Sequence, residues 1–458
     1  MDIIKNLQEK DLRHIWHPCS QMKDYESFPP IIVKKGEGVF LEDLKGNRYL
    51  DAVSSWWVNL FGHSNKRINE ALKDQLDKLE HVIFANFSHE PAIELAERLA
   101  KKAPGKLNKM FFSENGSSAV EVALKISFQY HQQKGQTKKK KFIALENAYH
   151  GETVGSLSLS GVSKYSNIFE ALLFDVFRAE APDCLRCRYG GDRDSCEAEC
   201  FASMEVLVKE KHEEISGIII EPLVQGAAGL KIYSPVYLKK LRKLCDQYAI
   251  NFIADEIAVG FGRTGKMWAC EHADVAPDLM TIGKGLTGGY LPMALTLVTD
   301  RIYDAFYDDY ETSKAFIHSH SYSGNALACR AAVATLDIFD EENIIENNKE
   351  KSRMLKQKVE KGIDEIPWVG EYRQIGMIGA IELVQNKERM ECFDWKERIA
   401  DRIYKKALQK GVLLRPMQNV IYFMPPYIIN EQEMDMMIHA AKESILECFK
   451  ERSKEHCP

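Results

Sequence analysis

From about residue 66 onward, short apolar runs recur between stretches of helical periodicity, and this alternation restricts the possible fold more than any other feature of the chain. The runs Lys109-Met110-Phe111-Phe112, Phe142-Ile143-Ala144-Leu145, Gly217-Ile218-Ile219-Ile220, Phe252-Ile253-Ala254 and Leu279-Met280-Thr281-Ile282 are brief and flanked by polar residues. Ahead of the first run, Ile68, Leu72 and Leu76, then Ile93, Leu95 and Leu99, show helical periodicity. Strands that read as unbroken apolar runs are buried on both faces, and strands separated by helices pair in parallel. An α/β fold with a mainly parallel central sheet is therefore expected.

The ends of the chain differ in texture from this middle. After a short helix, Ile31–Val33, Gly38–Asp43 and Arg48–Asp51 are separated by Lys35-Gly36 and Lys45-Gly46-Asn47, the pattern of an antiparallel meander. Beyond about residue 330 come a long helical stretch, strands near Gly376–Leu383 and Val420–Met424, and a final helix, with no internal repeat. A chain of 458 residues suits two or three domains. The expected division is a large domain over 66–330 and a smaller α/β domain assembled from 1–65 and 331–458.

Several classes of function are disfavoured. A formal net charge of −6 provides no basic face for nucleic acid. The one dense basic run, Lys138 to Lys141, is expected to be a solvated loop between a helix and a strand. The N-terminus has no apolar signal core and no stretch of 18 apolar residues occurs, so a cytoplasmic protein without a membrane partner is expected. Eleven cysteines, an odd number, do not suggest a secreted disulfide scaffold. Four of them, Cys184, Cys187, Cys196 and Cys200, follow the spacing C-x2-C-x8-C-x3-C in a loop rich in Arg, Gly and Asp. That spacing resembles a structural metal knuckle, with four unpaired thiols as the alternative.

Chemistry concentrates downstream. Phe252-Ile253-Ala254-Asp255-Glu256 runs into the glycine-rich stretch Gly260–Gly265, which places a carboxylate at the C-terminal end of a strand, where open α/β sheets bind ligands. Asp278-Leu279-Met280-Thr281-Ile282-Gly283-Lys284-Gly285 is a second short strand, ending in a lysine between two glycines. The pair resembles the Asp/Lys pair of fold-type I pyridoxal-phosphate enzymes, specifically the class III aminotransferases. The resemblance implies that Asp255 keeps the cofactor's pyridine nitrogen protonated and that Lys284 is the Schiff-base lysine and proton-transfer base.

The same resemblance assigns the remaining parts. Gly116 and Ser117, in Ser113-Glu114-Asn115-Gly116-Ser117, would hold the phosphate at a helix N-terminus. Tyr149 of Tyr149-His150-Gly151 would stack on the ring, and Glu221 and Gln225 of Glu221-Pro222-Leu223-Val224-Gln225 would line the cofactor site. His320 and Ser321, within His318–Asn325, would approach the phosphate of a second subunit, implying a homodimer, with Ser319 near the substrate. Narrower motifs, among them His14-Ile15-Trp16-His17-Pro18, Ser54-Ser55-Trp56-Trp57 and Leu414-Arg415-Pro416, are similar to members that aminate 8-amino-7-oxononanoate in biotin synthesis. Trp56 would cover the methylene chain of that keto acid and Arg415 would bind its distal carboxylate. Cys19 stands where well-known members carry a tyrosine, which leaves the amino donor open between S-adenosylmethionine and lysine, leaning to lysine. Another class III ω-aminotransferase and a non-catalytic binding protein on the same fold are the rival readings.

Overall fold

A computed structural model describes residues 3–190, 193, 195–363 and 365–455. Its centre is a seven-stranded sheet formed by β1 (Lys109–Ser113), β2 (Lys141–Leu145), β3 (Phe177–Ala179), β4 (Ile215–Ile220), β5 (Asn251–Asp255), β6 (Leu279–Ile282) and β7 (Ala294–Val298). The spatial order is β1-β7-β6-β5-β4-β2-β3. Neighbours from β6 through β3 pair in parallel, whereas β7 runs antiparallel to both β6 and β1. The expected mainly parallel sheet is present, with one reversed strand. Every residue of β4, β5, β6 and β7 is buried, which accounts for their mainly apolar sequences. Each fully covered isoleucine in β4 contributes roughly 2 kcal/mol of apolar burial.

Helices cover the sheet. The helix Gly116–Gln133 buries Ala119, Val120, Ala123, Leu124 and Ser127 and begins at Asn115, whose side chain accepts from Ser118 N–H. The helix Lys66–Leu76 starts at Asn65, which accepts from Arg67 and Ile68 N–H, and turns Ile68, Ala71 and Gln75 inward.

The two ends of the chain meet. Val33–Glu37, Phe40–Asp43 and Arg48–Asp51 form the antiparallel meander, and Val412–Leu413 adds to Arg48–Asp51 in parallel. A separate antiparallel sheet joins Val369–Ile375, Ile378–Leu383 and Val420–Phe423. These contacts bring the C-terminal segment, with Arg415, against the N-terminal turn that carries Trp56.

The lysine run lies in the loop between helix and strand expected of it, with Lys138 and Lys140 exposed, but one of its side chains is not solvated. Lys141 opens β2, and Lys139 is buried, its Nζ donating to the carbonyls of His212, Ile215 and Tyr248 at 2.8, 3.1 and 3.4 Å. Burial pushes its amine down to about 8. Charge density in sequence did not reveal that three carbonyls converge on one of the four side chains. No helix among the described residues is long and apolar enough to cross a membrane.

Candidate active site

Asp255 is the last residue of β5, and Lys284 lies two residues beyond β6, its neighbour in the sheet. Both therefore emerge at the same, carboxyl-terminal edge. The Asp255 carboxylate is almost fully buried and held from three sides. His150 Nδ1 lies 2.7 Å from Oδ2, while Ile257 N–H and Thr281 Oγ1 donate to Oδ1 at 3.1 and 3.3 Å. Lys284 has a left-handed backbone, with φ 44°, and its Nζ sits 5.2 Å from the centre of the Trp57 ring. Desolvation lowers its amine from the ordinary lysine value, opposed by Asp255 and Glu221. A lowered amine is the more readily neutral and nucleophilic one.

Glu221 closes this cluster. Its oxygens accept from Tyr149 N–H at 3.0 Å and Gly226 N–H at 2.8 Å, and burial pushes its carboxyl up to about 7. Tyr149 lies beside it, its hydroxyl donating to Glu152 at 2.9 Å and its ring 5.3 Å from that of Tyr165. Gln225 is buried and donates to Glu146 O at 2.9 Å. Gly116 and Ser117 form the first turn of the helix Gly116–Gln133, so its unpaired N–H groups and positive dipole end face the same edge. A Cβ on Gly116 would stand 2.9 Å from the Ile257 side chain and would have to push it aside. The Ser117 hydroxyl accepts from Glu152 and Thr153 N–H, both at 3.0 Å, tying the Tyr149–Thr153 loop to the helix start.

These residues fit pyridoxal phosphate. A helix start is available for its phosphate, a buried carboxylate for its ring nitrogen and a desolvated amine for its aldehyde. His150 Nε2 and Gln225 Oε1 are buried without a protein partner, polar atoms that a ligand can satisfy. His150 was not among the residues expected from the sequence. A histidine following an aromatic residue is common packing, and its contact with Asp255 spans 105 positions.

A second group forms the outer wall. Ser54, Ser55, Trp56 and Trp57 all have positive φ, at 50°, 45°, 75° and 75°. Such a run without glycine costs on the order of 1 kcal/mol or more per residue, and the surroundings offset it. The buried Asp51 accepts from Ser55 N–H at 2.9 Å and Ser55 Oγ at 2.6 Å, Ser54 Oγ donates to Met424 O at 2.7 Å, and Trp57 Nε1 donates to the Tyr422 hydroxyl at 3.1 Å. The turn leaves Trp56 exposed, and the Arg415 guanidinium lies 3.5 Å from its ring centre. Among the described residues Arg415 has no carboxylate partner, so it is not the surface ion pair that a lone arginine usually makes. Cys19 is exposed, and its thiol is close enough to add to the upward pKa shifts of Tyr149 and Tyr165.

No hydrogen bond joins Ser319, His320 or Ser321 to Asp255 or Lys284 among the described residues. Ser319 and Ser321 are exposed, His320 Nδ1 pairs with Glu114 Oε2 at 2.5 Å, and the Ser321 carbonyl accepts from His81. The metal reading of the cysteine loop finds no ready-made site: all four cysteines are free, and among the described residues no three His, Cys, Asp or Glu side chains are placed to hold an ion. Cys245, Cys270, Cys329 and Cys448 are buried, as expected of small core residues.

Residues 21–445 match the family described as Aminotransferase class-III. The adenosylmethionine-8-amino-7-oxononanoate aminotransferase of Geobacter sulfurreducens is 43% identical over 96% of this chain and 97% of its own length. The protein of that name from Helicobacter pylori is 45% identical over 95% and 96%. Among solved structures, the enzyme of the same name from Methanocaldococcus jannaschii superposes with a TM-score of 0.92 at 41% identity, covering 97% of this chain and 99% of that one. The omega transaminase from Pseudomonas jessenii in complex with PMP gives 0.92 at 31% identity, covering 97% and 98%. A family match across nearly the whole chain, together with this sheet and the paired Asp255 and Lys284 at its edge, establishes that the chain belongs to the class-III aminotransferases, with the fold-type I architecture.

Proposed function

We propose that this aminotransferase converts 8-amino-7-oxononanoate to 7,8-diaminononanoate in biotin synthesis, with adenosylmethionine as amino donor. The observation that carries the substrate is Arg415 stacked on Trp56, without a carboxylate partner among the described residues, beside the turn that also brings Trp57 to Lys284. An extended keto acid with a carboxylate at one end and a ketone near the other matches a site with a guanidinium at the rim, an aromatic wall and an amine within. The names of the relatives from Geobacter and Helicobacter support both the keto acid and adenosylmethionine, and so outweigh the lean towards lysine. Cys19 beside Tyr149 and Tyr165 keeps lysine as the second reading.

When bound, pyridoxal phosphate supplies an aldehyde for the amino group and a ring that takes up the electrons of the substrate carbon. Lys284 would hold the cofactor through its Nζ and would carry the proton at the substrate carbon. Asp255 holds the ring-nitrogen proton and is itself oriented by His150. Tyr149 would cover the ring, Gly116 and Ser117 would hold the phosphate, and Glu221 and Gln225 would line the site. The working unit is proposed to be a cytoplasmic homodimer in which His320 and Ser321 approach the phosphate of the second subunit and Ser319 its substrate. Residues 66–330 form the proposed cofactor-binding domain, with 1–65 and 331–458 as the smaller one.

Arg415→Ala tests the substrate assignment. Loss of a charge-assisted carboxylate contact should cost about 2–4 kcal/mol, on the order of a hundredfold in kcat/KM, mostly through KM. The loss should fall on the half-reaction with 8-amino-7-oxononanoate and spare amino transfer from a simple amine lacking a carboxylate. Equal impairment of both half-reactions, resolved by stopped-flow absorbance, would remove Arg415 from the substrate site.

A further inference from the structure

Ser54 to Trp57 form a turn of left-handed helix without a glycine, in which Trp57 N–H donates to Val53 O at 2.9 Å and Val58 N–H to Ser54 O at 3.0 Å. The groups that hold this turn are divided between its two indoles. We propose that Asp51 is a positioning residue for the substrate: through Ser55 it fixes Trp56 against Arg415 and so sets the affinity for the keto acid, while other supports serve the chemistry at Lys284. The inference rests on the reading of Trp56 and Arg415 as the substrate's wall and carboxylate site.

A left-handed run of residues that carry a Cβ is held by its surroundings, and such strain gathers at functional sites. Asp51 provides the hold at the front of the turn. Its carboxylate is fully buried and accepts from Val53 N–H at 3.4 Å, Ser55 N–H at 2.9 Å and Ser55 Oγ at 2.6 Å. Its remaining contact is His63, whose Nε2 lies 3.1 Å from Oδ2. Asn59 Nδ2 donates to His63 Nδ1 at 3.1 Å, which leaves the ring proton on Nε2, facing Asp51. Among the described residues His63 is the only ion-pair partner of Asp51. With no lysine or arginine to pair with, the carboxylate is directed at the turn.

Asp51 also stands where the two halves of the wall meet. Leu413 is its partner in the parallel pairing of Arg48–Asp51 with Val412–Leu413, and Ala52 N–H donates to Leu413 O at 3.2 Å. Arg415 follows shortly after Leu413, and Trp56 shortly after Asp51, so one carboxylate sits at the root of both. Trp57 has supports of its own. Its Nε1 donates to the Tyr422 hydroxyl, and the buried Arg263 guanidinium donates to the carbonyls of Trp57 and Asn59 at 3.4 and 3.3 Å. Trp57 is buried, whereas Trp56 is exposed and meets the Arg415 guanidinium. Loss of the Asp51 charge therefore loosens the Trp56 end of the turn and leaves the Trp57 end, beside Lys284, in place.

Asp51→Asn keeps an acceptor for Ser55 N–H but turns an NH2 towards the donors Ser55 Oγ and His63 Nε2. In the full-length holoenzyme, KM for 8-amino-7-oxononanoate should rise about tenfold, with kcat and amino transfer from a simple amine held within about twofold. Ser55→Ala leaves the buried charge in place and should shift KM the same way by less, which keeps the test open if Asp51→Asn does not fold. In an Arg415→Ala background either substitution should add little, because the group that Trp56 is aligned with has gone. Without any substrate, hydrogen exchange of peptides spanning Val53 to Asn59 should quicken about tenfold in Asp51→Asn, with β5 and β6 unchanged. Unchanged exchange in the turn, an equal rise in KM with and without Arg415, or a fall in kcat as large as the rise in KM would each overturn the proposal. If Asp51→Asn and Ser55→Ala leave KM unaltered while Arg415→Ala raises it, this inference alone fails; if Arg415→Ala also leaves it unaltered, the substrate reading fails with it.

Discussion

Lys284→Ala is expected to lower transamination by several orders of magnitude without unfolding the chain. The substitution removes both the covalent attachment and the base that moves the substrate proton, and these act as a unit. Nothing in the cluster replaces it: the groups gathered around its Nζ are carboxylates and a tryptophan ring, and its desolvated amine is the one tuned towards neutrality. The variant should still bind pyridoxal phosphate through the helix start and Asp255, with an altered visible spectrum, and added methylamine should restore a small part of the rate. Retention of more than a few per cent of activity would contradict the assignment.

The second large effect is expected from Asp255→Asn. Asparagine keeps the volume and an acceptor for His150, Ile257 N–H or Thr281, so folding should be little disturbed. The loss is the negative charge proposed to keep the ring nitrogen protonated. Removing one partner of a buried charge pair is worth about 3–5 kcal/mol, so kcat is expected to fall by roughly three orders of magnitude. Cofactor should be retained. A fall of less than tenfold, measured at saturating substrate, would mean that the charge is not used.

Asp255 and Lys284 could be read from the sequence because each follows an apolar strand and precedes a glycine-containing turn, features local enough to recognise. Gly116 and Ser117 were legible for the same reason, at the start of a helix behind β1. What the sequence hid depends on distance or on an unusual backbone. His150 becomes significant only when the sheet brings it to Asp255. The pair Trp56 and Arg415 was expected to share a substrate, but the stacking of one on the other depends on the parallel pairing of Arg48–Asp51 with Val412–Leu413. The left-handed run Ser54–Trp57 contains no glycine to announce it, because its strain is offset by Asp51, Met424 and Tyr422 rather than by residue type. Lys139 misled for the opposite reason: a local run of charge said nothing about three carbonyls supplied by other segments.

Cys19 bears on the donor alone. A thiol gives no ring surface and hydrogen-bonds more weakly than a phenol. The proposed binding of the keto acid at Trp56 and Arg415 does not involve Cys19, which separates the substrate question from the donor question.

The most direct measurement is product analysis with purified enzyme, pyridoxal phosphate and 8-amino-7-oxononanoate, offered adenosylmethionine, lysine or a simple amine in turn. The account predicts 7,8-diaminononanoate, formed fastest with adenosylmethionine and lost in Lys284→Ala. If no diamine forms with any donor while the enzyme aminates another keto or aldehyde acceptor, the substrate assignment is wrong.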